Sequence, residues 1–130
     1  MPQSSSALEE RHAVFVVDDD PAVTHSLKFA LELEGYTVVV FSLAADVLSA
    51  AFPESGCLLI DYKLPDMNGL DMLAKLRARG VTMPAVLITT APGEALVRRA
   101  AAAGTPIVEK PFLSNALNQA LDAMFERPHL

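Results

Sequence analysis

The chain has one cysteine, no tryptophan and few aromatic residues. A single cysteine cannot close an internal disulfide, so the fold must stand on its core, and a reducing compartment fits that usage. Cys57 lies within the apolar run Cys57-Leu58-Leu59-Ile60, where a thiol acts as a small inert hydrophobe rather than a reactive group. No apolar run approaches the roughly 20 residues that a membrane-spanning helix needs. Residues 1–11 are Ser-rich and acidic and lack the hydrophobic centre of a signal peptide. They read as a flexible tail, and the expectation is a cytoplasmic protein without membrane insertion. Basic residues are the minority, 10 against 16 acidic ones, for a formal net charge of −6. That field disfavours non-specific nucleic-acid binding, and no basic run or recognition helix stands out. No nucleic-acid partner is expected.

What the chain has is short aliphatic runs that end in polar residues. At 130 residues it has the length of one domain, long enough to bury a core without staples. Gly56-Cys57-Leu58-Leu59-Ile60-Asp61 is the stretch around which the rest is organised. An unbroken apolar run between turn formers suits a strand buried on both faces. It ends on Asp61, followed by the turn-rich segment from Tyr62 to Gly69. In that segment Asp66 and Asn68 read as turn residues, and Gly69 as a source of flexibility.

Ala13-Val14-Phe15-Val16-Val17 is a similar strand, followed by Asp18-Asp19-Asp20-Pro21. Asp20 is placed to cap a helix that has Pro21 in its first turn and runs to about Leu33. Val23, Leu27, Phe29, Ala30 and Leu31 give its apolar side. Tyr36 to Phe41 reads as a strand, and Ser42 as the cap of a second helix through about Ala51. Leu70, Leu73, Ala74 and Leu76 mark a third helix, with Lys75, Arg77 and Arg79 toward water. Pro84 to Thr90 is a fourth strand, Gly93 to Ala103 a fourth helix, Ile107 to Glu109 a short fifth strand, and Leu113 to Phe125 the last helix. Five βα units with short connections predict an α/β fold, a parallel sheet covered by helices on both faces.

In such a sheet the strand ends share one edge. Asp18, Asp19, Asp61, Thr89, Thr90 and Lys110 all fall there. Three carboxylates close together repel one another and raise one another's pKa. A hard divalent cation such as Mg²⁺ would relieve them, binding one or two carboxylates and keeping open positions. A phosphoryl group suits those positions, held by the metal, by Lys110 as a point charge and by the Thr89 hydroxyl. A carboxylate beside the metal can attack phosphorus and form an acyl phosphate, and Asp61 on the central strand is best placed to do so.

Read together, Val16-Val17-Asp18-Asp19-Asp20-Pro21, Leu59-Ile60-Asp61-Tyr62-Lys63-Leu64-Pro65-Asp66-Met67-Asn68-Gly69, Ile88-Thr89-Thr90-Ala91 and Glu109-Lys110-Pro111-Phe112 resemble the receiver domains of bacterial two-component response regulators. The match spans about residues 12–126, leaving short tails at 1–11 and 127–130. The resemblance implies a CheY-like, doubly wound (βα)5 fold with strand order 2-1-3-4-5. It implies Asp61 as the phosphoacceptor, taking a phosphoryl group from the phosphohistidine of a sensor kinase or a phosphotransfer protein. It further implies Asp19 as a direct Mg²⁺ ligand, Asp18 acting largely through water, and the Lys63 backbone carbonyl completing the set. Thr89 matches the switch hydroxyl, in preference to Thr90, because it continues Val86-Leu87-Ile88 and stands 28 residues after Asp61, the spacing of close relatives. Lys110 matches the phosphoryl-binding lysine, with a cis bond to Pro111. Such a domain is a phosphoacceptor that assists its own chemistry rather than a free-standing enzyme.

One departure stands out. Ile107 occupies the position where relatives usually carry Tyr or Phe, the ring that turns inward as the switch threonine moves. Pro106 beside it has no N–H for a ladder. The expectation is that the loop Thr90-Ala91-Pro92-Gly93 and the helix after it carry the signal instead; identical loop conformations in free and phosphate-mimic forms would rule that out. Lys63, two residues after Asp61, is a candidate control on phosphate lifetime. The end Glu126-Arg127-Pro128-His129-Leu130 reads as a terminus, so a stand-alone receiver is expected, whose target would dock on the last two helices and the fifth strand. A receiver cut from a longer regulator is the alternative. A small Mg²⁺-dependent phosphohydrolase would need an acidic residue where Lys63 stands. A dinucleotide-binding domain would need glycines where Asp18-Asp19-Asp20 stand.

Overall fold

The computed structural model describes residues 13–110 and 116–125. The expected tails, the Lys110–Pro111 bond and the first turn of the last helix lie outside the described residues. Five strands and five helices alternate: β1 (Ala13–Val17), α1 (Pro21–Leu33), β2 (Thr37–Phe41), α2 (Ala44–Ser49), β3 (Cys57–Asp61), α3 (Gly69–Ala78), β4 (Ala85–Thr89), α4 (Glu94–Ala102), β5 (Ile107–Glu109) and α5 (Ala116–Phe125). The strands form one parallel sheet in the order β2-β1-β3-β4-β5. The three central strands β1, β3 and β4 are buried along their whole length, which is why they read as unbroken aliphatic runs rather than alternating ones.

Alternate residues of these strands feed two cores. Phe15, Val17, Leu58, Ile60 and Leu87 pack with Ala44, Val47, Leu73 and Leu76 of α2 and α3 and with Ala100 of α4. Val14, Val16, Leu59, Val86 and Ile88 pack with Leu27 and Leu31 of α1 and with Leu117 and Leu121 of α5. Cys57 lies in this second core, and burial pushes its thiol up to about 12, so it stays protonated and inert.

Several local expectations are corrected. Ser42 does not cap α2. The helix begins after Leu43, which makes no side-chain cap, and the Asp66 carboxylate arrives from another loop to accept from Ala44 N at 3.0 Å and Ala45 N at 2.9 Å. The helix ends at Ser49 rather than Ala51. On α1, Phe29 is 67% exposed and Ala30 also faces water, while Thr24 takes a buried place. On α3, Met72 is buried and Ala74 exposed. Arg77 and Arg79 are not simply solvated. Arg77 donates to the carbonyls of Val81 and Met83, and Arg79 to those of Leu48 and Ala50, tying down the loops at the far edge of the sheet. Pro106, which lacks an N–H, serves β5 through its carbonyl, accepting from Leu87 N at 2.8 Å.

Candidate functional site

The C-terminal ends of β1, β3 and β4 deliver the polar residues to one edge of the sheet. Asp18 directly follows β1, and its own N–H continues the ladder to the Phe41 carbonyl at 3.0 Å. Its side chain is almost wholly buried, 1% exposed, and both oxygens are engaged. Oδ1 accepts from Asp20 N at 3.0 Å and Oδ2 from Lys110 Nζ at 2.9 Å. Asp20 turns the chain into α1, accepting from Ala22 N as its cap. Asp19, between them, is exposed.

Asp61 is the last residue of β3 and is buried. Its Oδ2 stands 3.6 Å from Lys110 Nζ, and its Oδ1 accepts a long hydrogen bond, 3.4 Å, from Lys63 N. Burial first, and then the charge of Asp18, raise the Asp61 pKa above the ordinary carboxylate value; Lys110 and the Lys63 N–H oppose them without cancelling the rise. For Lys110, burial works against the charge, but the hydrogen bond to Asp18 and the charges of Asp18 and Asp61 outweigh it and raise the pKa. The lysine is therefore a fixed ammonium at neutral pH, shared between two carboxylates, and the second of them remains under-compensated.

One carboxylate oxygen each from Asp18, Asp19 and Asp61 lies within 4.8 Å of the others. Hard oxygen donors from a buried, an exposed and a buried residue fit a divalent cation reachable from solvent on one side. Thr89 ends β4 and is 6% exposed, whereas Thr90 is exposed beyond the strand. Lys63 lies in the turn after β3, where it forms an antiparallel bridge with Asn68.

The turn is more ordered than its composition announces. Asn68 caps α3, accepting from Asp71 N at 2.8 Å while its amide donates to Asp71 Oδ2 at 2.8 Å. Asn68-x-x-Asp71 is a capping pattern legible in the sequence. Gly69 does not supply flexibility. Its N–H donates to the Tyr62 carbonyl at 2.7 Å, and it packs directly on the Asp61 backbone. The role of Asp66 has no local signal, since its partners are more than twenty residues away.

Comparison with known proteins identifies the family. The family model described as response regulator receiver domain matches residues 14–122. The transcriptional regulatory protein FixJ of Azorhizobium caulinodans is 37% identical over 123 residues, covering 92% of this chain and 58% of that protein. The probable transcriptional regulatory protein TcrX of Mycobacterium tuberculosis is 32% identical over 116 residues, 88% of this chain and 50% of that one. The chain thus spans little more than half the length of these relatives. Among solved structures, FixJ-N superposes with a TM-score of 0.78 at 30% identity, covering 92% of this chain and 97% of that one. The response regulator StyR superposes at 0.80 with 34% identity, covering 88% and 59%. The family match over most of the chain and the shared fold show that the chain belongs to the response regulator receiver domain family of two-component systems.

Proposed function

We propose that this receiver accepts a phosphoryl group on Asp61 from a phosphohistidine of a sensor kinase or histidine phosphotransfer protein, with Mg²⁺ as cofactor. The observation that carries the reading is the arrangement of Asp61, Asp18 and Lys110: a buried carboxylate at a strand end, beside a second carboxylate and under one shared ammonium. Asp61 Oδ would attack phosphorus as the P–N bond to the histidine breaks, the imidazole keeping that electron pair, to leave an acyl phosphate. Lys110 would turn from the two carboxylates toward the incoming phosphoryl oxygens. Asp19, Asp61 and the Lys63 carbonyl, with Asp18 largely through water, would hold the cation, which when bound neutralises the carboxylates and the phosphoryl oxygens. The hydroxyl of Thr89, the last residue of β4, would supply a further donor to the phosphoryl group, a task for which Thr90, exposed beyond the strand, is less suited.

The partners are then a histidine-phosphorylated donor and a protein that distinguishes the two states of the domain, docking on α4, β5 and α5. A cytoplasmic location belongs to the same proposal, as the place where such a donor acts; no helix among the described residues is long and apolar enough to cross a membrane. The relatives carry sequence beyond the matched part, so the proposal is confined to the receiver unit.

Intact mass after incubation with Mg²⁺ and acetyl phosphate tests it, on wild type and Asp61→Asn. A single phosphoryl adduct on wild type alone is the expected result. No adduct, together with no Mg²⁺-dependent binding of the phosphate mimic beryllofluoride, would overturn the reading.

A further inference from the structure

Helix α4 is the least anchored helix whose packing the structure describes in full. Ala100 is its one buried residue, Leu96 packs half-buried on the same core, and Val97 is exposed. Between α3 and α4 runs a cleft of about 340 Å³ lined by Leu70, Leu73, Ala74, Arg77, Arg99 and Ala103, so the two helices share the core through Ala100 but stand apart along this side. The chain enters α4 through Ala91, whose φ of 48° is a left-handed conformation that a residue with a Cβ rarely adopts. Weak packing and a strained entry leave the position of α4 to be set by few contacts.

One side chain spans the cleft. Arg99 Nη2 donates to Asp71 Oδ1. Among the described residues, no other side chain of α4 is hydrogen-bonded or ion-paired to another element; Arg98 pairs only with Glu94 of the same helix. The Asp71 hydrogen bond first, then the charge of Asp71 and an interaction with Tyr62, hold Arg99 in its charged form. Both partners belong to the segment that leaves the phosphoacceptor. Tyr62 follows Asp61, and Asp71 is locked to Asn68 by two hydrogen bonds. Asn68 bridges to Lys63, whose N–H reaches Asp61 Oδ1 at 3.4 Å. A path of residue contacts thus runs from Asp61 through Lys63, Asn68 and Asp71 to Arg99 in the middle of α4.

We propose that Arg99 is a positioning residue that clamps α4 to the first turn of α3, just past the loop leaving Asp61, so that occupancy of Asp61 and docking of α4 form one linked equilibrium. The proposal rests on the receiver reading and names the element that transmits its signal where no aromatic ring is available at Ile107. Linkage requires reciprocity: the factor by which an anion at Asp61 changes α4 docking is the factor by which releasing α4 changes affinity for that anion.

The test is amide hydrogen exchange across residues 94–102, free and with Mg²⁺ and beryllofluoride, for wild type, Arg99→Gln, Asp71→Asn and the exchanged pair Arg99→Asp with Asp71→Arg. In the free protein either single variant should speed exchange of α4 about two- to fivefold, the scale of one half-exposed ion pair, with the other helices unchanged. In wild type beryllofluoride should shift α4 exchange; in Arg99→Gln that shift should shrink and the beryllofluoride affinity should move by a matching factor. The exchanged pair should recover both readouts in part, which a merely structural role for either residue would not produce. Free-state exchange of Arg99→Gln equal to wild type overturns the clamp. Beryllofluoride binding with the full α4 response retained in Arg99→Gln overturns the coupling alone. Failure of wild type to bind beryllofluoride overturns the receiver reading, and the coupling with it.

Discussion

Gly69 stands so close to the backbone of Asp61 that a Cβ on it would lie 2.6 Å from the Asp61 carbonyl oxygen and 2.7 Å from Ile60 Cγ2. The neighbouring oxygen is backbone of the central strand and cannot swing aside. Gly69→Ala should therefore destabilise the fold by about 1–3 kcal/mol, the usual penalty of overpacking, and weaken beryllofluoride binding because the displaced backbone is that of the phosphoacceptor residue itself. Gly93→Ala is the comparison, since nothing lies within 4 Å of its Cβ position; it should stay within about 0.5 kcal/mol of wild type. Urea unfolding of the two variants reads the difference.

Asp61 is held above its ordinary pKa by burial first and by Asp18 second. A carboxyl whose folded pKa exceeds its unfolded value subtracts stability once ionised, in full above the folded pKa, and subtracts nothing below the unfolded value of about 3.9. Asp61→Asn should then be more stable than wild type at neutral pH, by about 0.5–2 kcal/mol, the range of single stabilising changes. The advantage should fade as pH falls through the folded pKa of Asp61. Thermal melts from pH 7 to pH 4 check this, and an advantage independent of pH would point to a cause other than charge.

The strands and the site edge were legible because both rest on local signals. Central strands buried on two faces must be apolar throughout, so β1, β3 and β4 announce themselves, and the topology of a parallel sheet then brings Asp18, Asp61 and Lys110 to one edge whatever the details between. What the sequence did not reveal depends on partners far along the chain. The cap of α2 comes from Asp66, so Ser42 looked the better candidate. The solvent side of α1 carries Phe29 because helical periodicity describes which residues align, not how wide a stripe the neighbouring elements cover. Gly69 resembled a turn glycine until its distance to Asp61 was known. The ion pair of Arg99 with Asp71 joins two helices whose spacing no local pattern sets.

Lys110 is the counter-charge of the site, 2.9 Å from Asp18 Oδ2 and 3.6 Å from Asp61 Oδ2. Lys110→Met leaves the buried Asp18 oxygen without its ammonium and should cost about 1–3 kcal/mol at neutral pH, the penalty of a buried polar group left unpaired. The Lys110 pKa is raised, so the stabilisation it provides is complete below the unfolded lysine value near 10.4 and is lost as pH rises through the folded pKa. A divalent cation supplies positive charge to the same oxygens. Mg²⁺ should accordingly raise the melting temperature of Lys110→Met more than that of wild type, and it should have little effect on a variant carrying both Asp18→Asn and Asp61→Asn.

Asp66 joins the loop after β3 to the start of α2, through Ala44 N and Ala45 N. Helix α2 is only six residues long, too short to hold itself, so its first turn depends on this borrowed carboxylate. The two N–H bonds, that of Ala45 first, lower the Asp66 pKa. A depressed carboxyl contributes stability that is present above the unfolded value of about 3.9 and lost as pH falls through the folded one. Asp66→Ala should lower the urea midpoint at pH 7, Asp66→Asn should lower it less by keeping one acceptor oxygen, and Ser42→Ala should leave it unchanged. The gap between wild type and Asp66→Ala should persist down to about pH 4 and close below it. If Ser42→Ala proved the more damaging change, α2 would be capped as its own sequence proposes, and the tie between α2 and the phosphoacceptor loop would not exist.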